Sequence, residues 1–451
     1  MKIPDAHQPR EIIDEFVSEI DDNKEIIVGD LRTIFFRDDK NEKKKRQVYK
    51  VPLYCLKFRK NNGRIASDVM AYERLNGEIQ EATDFGQDVL RRFLFEKDKE
   101  KGTELKNTIE ARGQDEPAVI TSDGFLINGN RRKMILEILS EKNPKYRTME
   151  VVILPGKKNS EADELPPSNY EIEQIESAYQ FQTHGKSEYS NFDKALSIRR
   201  KLDNHMSIAE QLSYDGSFSN SSTAEKNKKI KEIENNFLNP LKCVDKYLER
   251  LGRPGQYNTI ATAKGSKKGQ WQAFIDYYNY IDKYISSDTK WLELGISKQE
   301  RGVVEDISFK LIRARDIKGI DKKSHELMRL IPKILKKTDA KNELFELKSI
   351  KISDKGEVSK DAKDAEIKDL QWSQKNASEI IHHVRKSYEL YLDVKGSETP
   401  IELLKAAFDK LNHNNMILSS VKSNKINEAK SWIEKIKRKT QQLDDEISNL
   451  D

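Results

Sequence analysis

The chain has only two cysteines, Cys55 and Cys243, in 451 residues. They show no CxxC or Cys/His ligand spacing, which excludes a disulfide scaffold and a sequence-legible zinc finger and fits a reducing compartment. No apolar run approaches the roughly 18 residues needed to span a bilayer. The first residues, MKIPDAHQPREIIDEF, also lack the apolar stretch of a signal peptide, so a cytoplasmic protein without a membrane segment is expected. Excess charge of one sign is missing too: 81 Lys and Arg against 76 Asp and Glu leave +5. A wholly basic nucleic-acid coat is excluded, and any such surface has to be local. The seven histidines are scattered; His382 and His383 are adjacent, which on a helix turns them to different faces, whereas a metal pair wants i,i+4 spacing. No internal repeat is found.

What is present is a polar but foldable chain, 36% hydrophobic and 35% charged, long enough for two or three cores. A short acidic helix, EIIDEFVSEI, leads to a strand at Glu25 to Val28 and then to a polar, basic loop, RDDKNEKKKRQ. From Val48, Tyr49, Val51, Leu53 and Cys55 alternate in VYKVPLYCLKF, predicting a strand. Residues 68 to 110 have helical spacing, and LKNTIEARG ends on a glycine stop. PAVIT, FLIN, RRKMILEIL and MEVVIL follow in tight order and predict a β-β-α-β unit. PGKKNSEADELPPSN is a loop by composition. After Tyr170 nearly everything reads as helix, and Leu196, Leu202, Ile208, Ala209 and Leu212 suggest a helix pair broken near Asn204, a degenerate helix-turn-helix. At the C-terminus, Ala429, Ile433, Ile436, Thr440, Leu443 and Ile447 repeat at three-four spacing, the pattern of a packed hairpin or a short coiled coil. The resulting division is an extension at 1–47, a first domain at 48–165, a helical domain at 166–262 and a second helical domain at 263–451.

The most informative string is Asp123-Gly124-Phe125-Leu126-Ile127-Asn128-Gly129-Asn130-Arg131-Arg132-Lys133. Gly129 falls where a strand gives way to a helix. A glycine there lets a ligand approach the backbone, and the helix start offers unpaired N–H groups and the positive end of the dipole. Arg131 and Arg132 add planar donors suited to phosphate oxygens. The bland alternative is a pair of arginines decorating a surface helix.

DGFLINGNRRKMIL resembles the dG…ilaGeRRlrA segment of ParB-type domains, which share a fold with sulfiredoxin. LKNTIEARGQDEPAVI resembles the helix and strand that precede it in the family, KNNGRI (Lys60 to Ile65) the arginine-bearing loop near the domain start, and SEYSNFDKA the stretch after the second phosphate motif, ENxxR. The resemblance covers residues from about 48 to 200. It implies an α+β domain of ParB/sulfiredoxin type, a small mixed sheet with helices, ahead of a mostly α-helical C-terminal half. It also implies a nucleoside triphosphate, CTP or ATP with Mg²⁺, held by Arg64, Gly129, Asn130, Arg131, Arg132, Thr183, His184 and Lys186. Glu173 and Glu176 are the nearest carboxylates for the metal, although a helix surface explains them equally well. Two departures bear on activity. Asn130 replaces the glutamate of GERR, and Gln182, Thr183 and Lys186 stand where ENxxR has Glu, Asn and Arg. Phosphate binding survives these changes better than hydrolysis does, and sulfiredoxin chemistry is excluded because its cysteine is missing.

Basic clusters flank the helix-turn-helix candidate: Lys226, Lys228 and Lys229 in KNKKIK, and Lys267 and Lys268 in KGSKK. A single cluster is usually a solvated face, but lysines at such positions supply phosphate contacts to DNA. The serine-rich SFSNSSTAEK interrupts what should be a tight turn before a recognition helix. The expectation is a nucleotide-binding, DNA-associated protein of a plasmid, phage or defence locus, with homodimerisation through the C-terminal helices. The rivals are a ParB-type nuclease or phosphoryl-transfer enzyme and a catalytically inactive interaction scaffold.

Overall fold

The computed structural model describes residues 6–37, 39, 44–97, 102–157, 164–181, 190–214, 216–261, 269–315, 319–320, 322–353, 359, 361–412 and 416–449. The chain forms two compact units, Met1–Ser387 and Tyr388–Asp451. No helix among the described residues is long and apolar enough to cross a membrane.

The first unit opens with α1 (Asp14–Asn23), β1 (Glu25–Arg32) and β2 (Arg46–Pro52). Pro52 has no N–H to continue a ladder, and the chain turns into a short 3-10 turn at Leu53–Cys55 instead of extending the strand as the alternation predicted. Three helices follow, α2 (Ala66–Asn76), α3 (Asp84–Lys97) and α4 (Gly102–Arg112), then β3 (Ala118–Ile120), α5 (Asn130–Ser140) and β4 (Thr148–Ile153). The sheet is mixed, in the order β1-β2-β4-β3, with β3 and β4 parallel and the other pairs antiparallel. It is apolar on both faces. Val51, Ala118, Ile120, Met149 and Val151 join one core with α3 and α5, while Val48, Val119, Val152 and Ile172 join another. That is why AVI and VVI read as unbroken apolar runs. Each fully buried Leu, Ile or Val here contributes about 1.5–3 kcal/mol.

FLIN, expected as a strand, forms only isolated bridges, Lys57 with Phe125 and Ile120 with Leu126. Gly124 sits at φ +82°, and a Cβ there would lie 2.3 Å from the Cys55 carbonyl oxygen, so the chain doubles back too tightly for a ladder. The described residues before Val48 are knitted into this layer. β1 pairs with β2, Arg10 reaches the buried Asp123 at 2.5 Å, and Arg37 donates to Glu171 at 2.7 Å.

The rest of the unit is helical: α6 (Asn169–Phe181), α7 (Asn191–Asp203), α8 (Ile208–Leu212), α9 (Gly216–Ser219), α10 (Thr223–Ile233), α11 (Asn239–Arg250) and further helices. Ile208, Leu212 and Phe218 form a small core with Leu202, Ile230 and Ile233. The serines are caps here. Ser222 accepts from the Glu225 N–H while Glu225 reaches back, and Ser207 and Glu210 do the same for α8. A 50-residue helix, Ala362–Leu411, and the C-terminal helix Ile426–Ser448 complete the chain.

Candidate functional site

The strand-to-helix turn is built around Gly129, the N-cap of α5 at φ +83°. A Cβ at this residue would lie 2.8 Å from the Ala118 Cβ and 2.9 Å from the Met149 Cε. The space that glycine leaves is therefore filled by the sheet's own side chains. Close packing of α5 on β3 and β4 requires it, and this accounts for the glycine more directly than ligand approach does. Asn128 fixes the turn by accepting the Val119 N–H at 2.6 Å. Asn130, the first helical residue, is 8% exposed, and its carboxamide Oδ1 is buried with no hydrogen-bond partner. Arg131 and Arg132 are half-buried. Arg132 donates through Nη1 to the Glu116 carbonyl; burial pulls its pKa down, opposed by Glu116, Tyr179 and Asp115. Lys133 lies 4.0 Å from the centre of the Phe58 ring and pairs with Glu137.

The Lys57–Phe125 bridge is parallel, so the chain after Phe58 and the chain after Ile127 leave the layer at the same end. Phe58 meets Lys133 of α5, and the Arg59-to-Arg64 loop follows it. Arg64 is half-buried, and its N–H is held by Asn62 Oδ1 at 3.0 Å. The neighbouring Gly63 N–H donates to Glu176 Oε1 at 3.2 Å. Glu173 and Glu176 are both buried, and Arg200 donates to each of them at 2.9 Å. Arg59 and Lys201, also buried, belong to the same network; burial lowers both pKa values while Glu176 and Glu173 oppose it. Burial likewise works against ionised Glu176, yet Arg200, Lys201, Arg59 and the Gly63 N–H override it and hold its pKa below the usual value. The two glutamates read as metal carboxylates thus serve as counter-ions to three cations of the chain, and Mg²⁺ would have to displace Arg200 from them. Alongside, Asp193 accepts from Ser67 N–H at the start of α2 and from Lys97 Nζ, at 3.1 and 2.7 Å.

The remaining expected positions divide in two. Thr183, His184 and Lys186 lie outside the described residues, as do Lys267 and Lys268. Lys226, Lys228 and Lys229 all sit on α10: Lys228 is exposed, and Lys226 and Lys229 are half-buried with their ammonium groups 5.8 and 5.9 Å from the Phe218 ring centre. Lys226 and Lys229 thus lie on the packed side of α10, one turn before Ile230 and Ile233, and Lys228 lies on its solvent side.

The sequence reading passed over two arrangements. The network of Arg59, Glu173, Glu176, Arg200 and Lys201 left no local motif, because its members come from a loop and two helices; the hint was the occurrence of charged residues at apolar-face positions of α6 and α7. The second is Glu343, which gathers His382 and His383 so that one ligand atom from each lies within 4.8 Å of the others. Glu343 is already engaged by His383 Nδ1 at 2.7 Å and Lys386 Nζ at 2.8 Å, which accounts for His383 but not for the exposed His382; the adjacent histidines reach one carboxylate, where their spacing had put them on different faces. No protein-family model, curated protein or solved structure matches the chain.

Proposed function

We propose that the chain is a ParB-like nucleotide-binding protein that takes the phosphates of a nucleoside triphosphate, CTP or ATP, at the start of α5 and associates with DNA through its helical part. The observation that carries this reading is the Asn130 carboxamide Oδ1, a buried acceptor without a partner at the start of α5 that calls for a ligand's donor, beside a helix N-terminus whose dipole favours the ligand's phosphates. Leaving such a group unsatisfied costs about 1–3 kcal/mol, which a ligand with a donor, such as a nucleotide hydroxyl or amine or metal-bound water, would recover. Glu173 and Glu176 fit Mg²⁺ poorly because their oxygens are engaged, so Mg²⁺ belongs on the triphosphate in this reading. The exposed Lys228 on α10 supports contact with DNA phosphates. Both cysteines are buried free thiols, in keeping with action in the cytoplasm.

The test is a thermal-shift titration of the full chain with CTP, ATP and GTP, with and without Mg²⁺ and DNA, on wild type and Asn130→Ala. A saturable stabilisation by one triphosphate, reduced in the variant, is expected. Identical curves with and without every nucleotide would refute the site.

A further inference from the structure

Glu343, on the helix Thr338–Phe345, meets two consecutive histidines of the long helix Ala362–Leu411. One ligand atom from each of Glu343, His382 and His383 lies within 4.8 Å of the other two, and all three residues belong to the first compact unit. His383 Nδ1 stands 2.7 Å from Glu343 Oε1, while Lys386 Nζ holds the other oxygen, Oε2, at 2.8 Å. That lysine fixes the carboxylate and leaves Oε1 to the imidazole side, the outer support that a ligating carboxylate usually has. His382 is exposed and makes no hydrogen bond among the described residues, yet it reaches the same carboxylate.

We propose that Glu343, His382 and His383 bind a divalent transition ion of the zinc class, with a fourth coordination position open to water. The donor set selects the ion. Two imidazole nitrogens and one carboxylate oxygen suit Zn²⁺, Co²⁺ or Ni²⁺, whereas Mg²⁺ and Ca²⁺ ask for oxygen ligands. Imidazole lone pairs lie in the ring planes, and the planes of His382 and His383 are inclined at 75°, so both lone pairs can meet one ion from different directions. Adjacent helical residues leave the axis about 100° apart; the carboxylate brought from a second helix supplies their common point. Zinc bonds of about 2.0–2.2 Å in tetrahedral array place ligand atoms about 3.4 Å apart, so the spacing of 4.8 Å closes by at most about 1.4 Å, which the exposed His382 side chain covers by rotation. On binding, the neutral His383 ring shifts its proton from Nδ1 to Nε2, the ion enters between Nδ1 and Oε1, and Lys386 keeps Oε2. The ion ties the two helices together and so stabilises the folded chain. None of these residues is shared with the start of α5, so this site and nucleotide binding can each fail without the other.

The test is isothermal titration of the full chain, without a polyhistidine tag, with Zn²⁺, for wild type, His382→Ala, His383→Ala and Glu343→Gln. Wild type is expected to take one Zn²⁺ per chain, saturably and at micromolar concentration, with a rise in thermal midpoint and no competition from excess Mg²⁺. Each variant is expected to bind at least about tenfold more weakly. His382→Ala carries the most weight. Its side chain is exposed, so the fold is retained, checked by circular dichroism, and an ion pair of Glu343 with His383 and Lys386 alone would not feel its loss. Co²⁺ in place of Zn²⁺ reads the geometry: the visible absorption of four-coordinate cobalt is expected in wild type and not in His382→Ala. No saturable Zn²⁺ binding by wild type, any of the three variants binding as tightly as wild type, or a cobalt spectrum that survives His382→Ala would each overturn the proposal.

Discussion

Replacing Gly129 by alanine isolates what this glycine does. The new Cβ would stand 2.8 Å from the Ala118 Cβ and 2.9 Å from the Met149 Cε, and φ of +83° is a left-handed conformation. The backbone contribution is about 1–2 kcal/mol for a residue carrying a Cβ. Overpacking a close-packed layer adds about 1–3 kcal/mol, because Ala118 is fully buried on β3 and only the Met149 methyl can yield. Together these give about 2–5 kcal/mol of destabilisation. The assay is urea denaturation of Gly129→Ala, followed by the tryptophan-independent helical signal and by hydrogen exchange of the β3 and β4 amides. Met149→Ala added to Gly129→Ala relieves one of the two contacts and should recover part of the loss. A Gly129→Ala chain within about 0.5 kcal/mol of wild type, the range of ordinary surface changes, would refute the packing account and return the glycine to a ligand-approach role.

Other outcomes follow from the same geometry. Arg200→Ala leaves Glu173 and Glu176 short of their shared cation in a buried site and should cost about 3–5 kcal/mol in chemical denaturation, the range for breaking buried pairs. Glu176 is held below its ordinary value of 4.5 in the folded chain, so it adds stability above that pH, and this is lost as pH falls through the lower folded value. Glu176→Gln should therefore flatten the acid limb of a stability-versus-pH curve; an unchanged limb would contradict the assigned network. Arg132→Ala should lower the thermal midpoint by removing the bond to the Glu116 carbonyl, and Arg132→Lys should not restore it, because one ammonium cannot reproduce the planar fork. Lys228→Ala/Lys229→Ala should weaken DNA binding across all sequences and shallow its salt dependence, measured by fluorescence anisotropy at several salt concentrations.

Much of the first layer was legible because its signals are local. The run PAVIT, the run MEVVIL and the glycine at Asn128-Gly129-Asn130 carry their structure in neighbouring residues, and β3, β4 and α5 follow them. FLIN was not legible as a turn-and-bridge segment, since its apolar run looks the same whether it pairs along its length or at isolated bridges; the deciding contact is with Cys55, far away in sequence. SFSNSSTAEK looked like an interruption although Ser222 and Glu225 are a capping box, a signal that spacing alone provides. The charged network around Glu173 and Glu176 was opaque for a different reason. Burial decides whether a glutamate on a helix is a solvated group, a metal ligand or a counter-ion, and burial here is set by packing of α6 on α7 and the Arg59 loop. For the same reason, the bond from the Arg132 guanidinium, read as a phosphate donor, to the backbone ahead of β3 was not legible.

The central claim is that the start of α5 binds a nucleoside triphosphate. Isothermal titration of the full chain with CTP and with ATP, each with Mg²⁺, against wild type and Arg131→Glu tests it most directly. The account predicts saturable one-to-one binding of one of the two by wild type and none by the charge-reversed variant with its thermal midpoint retained. No saturable heat for either nucleotide with wild type, or equal binding by both proteins, would contradict it.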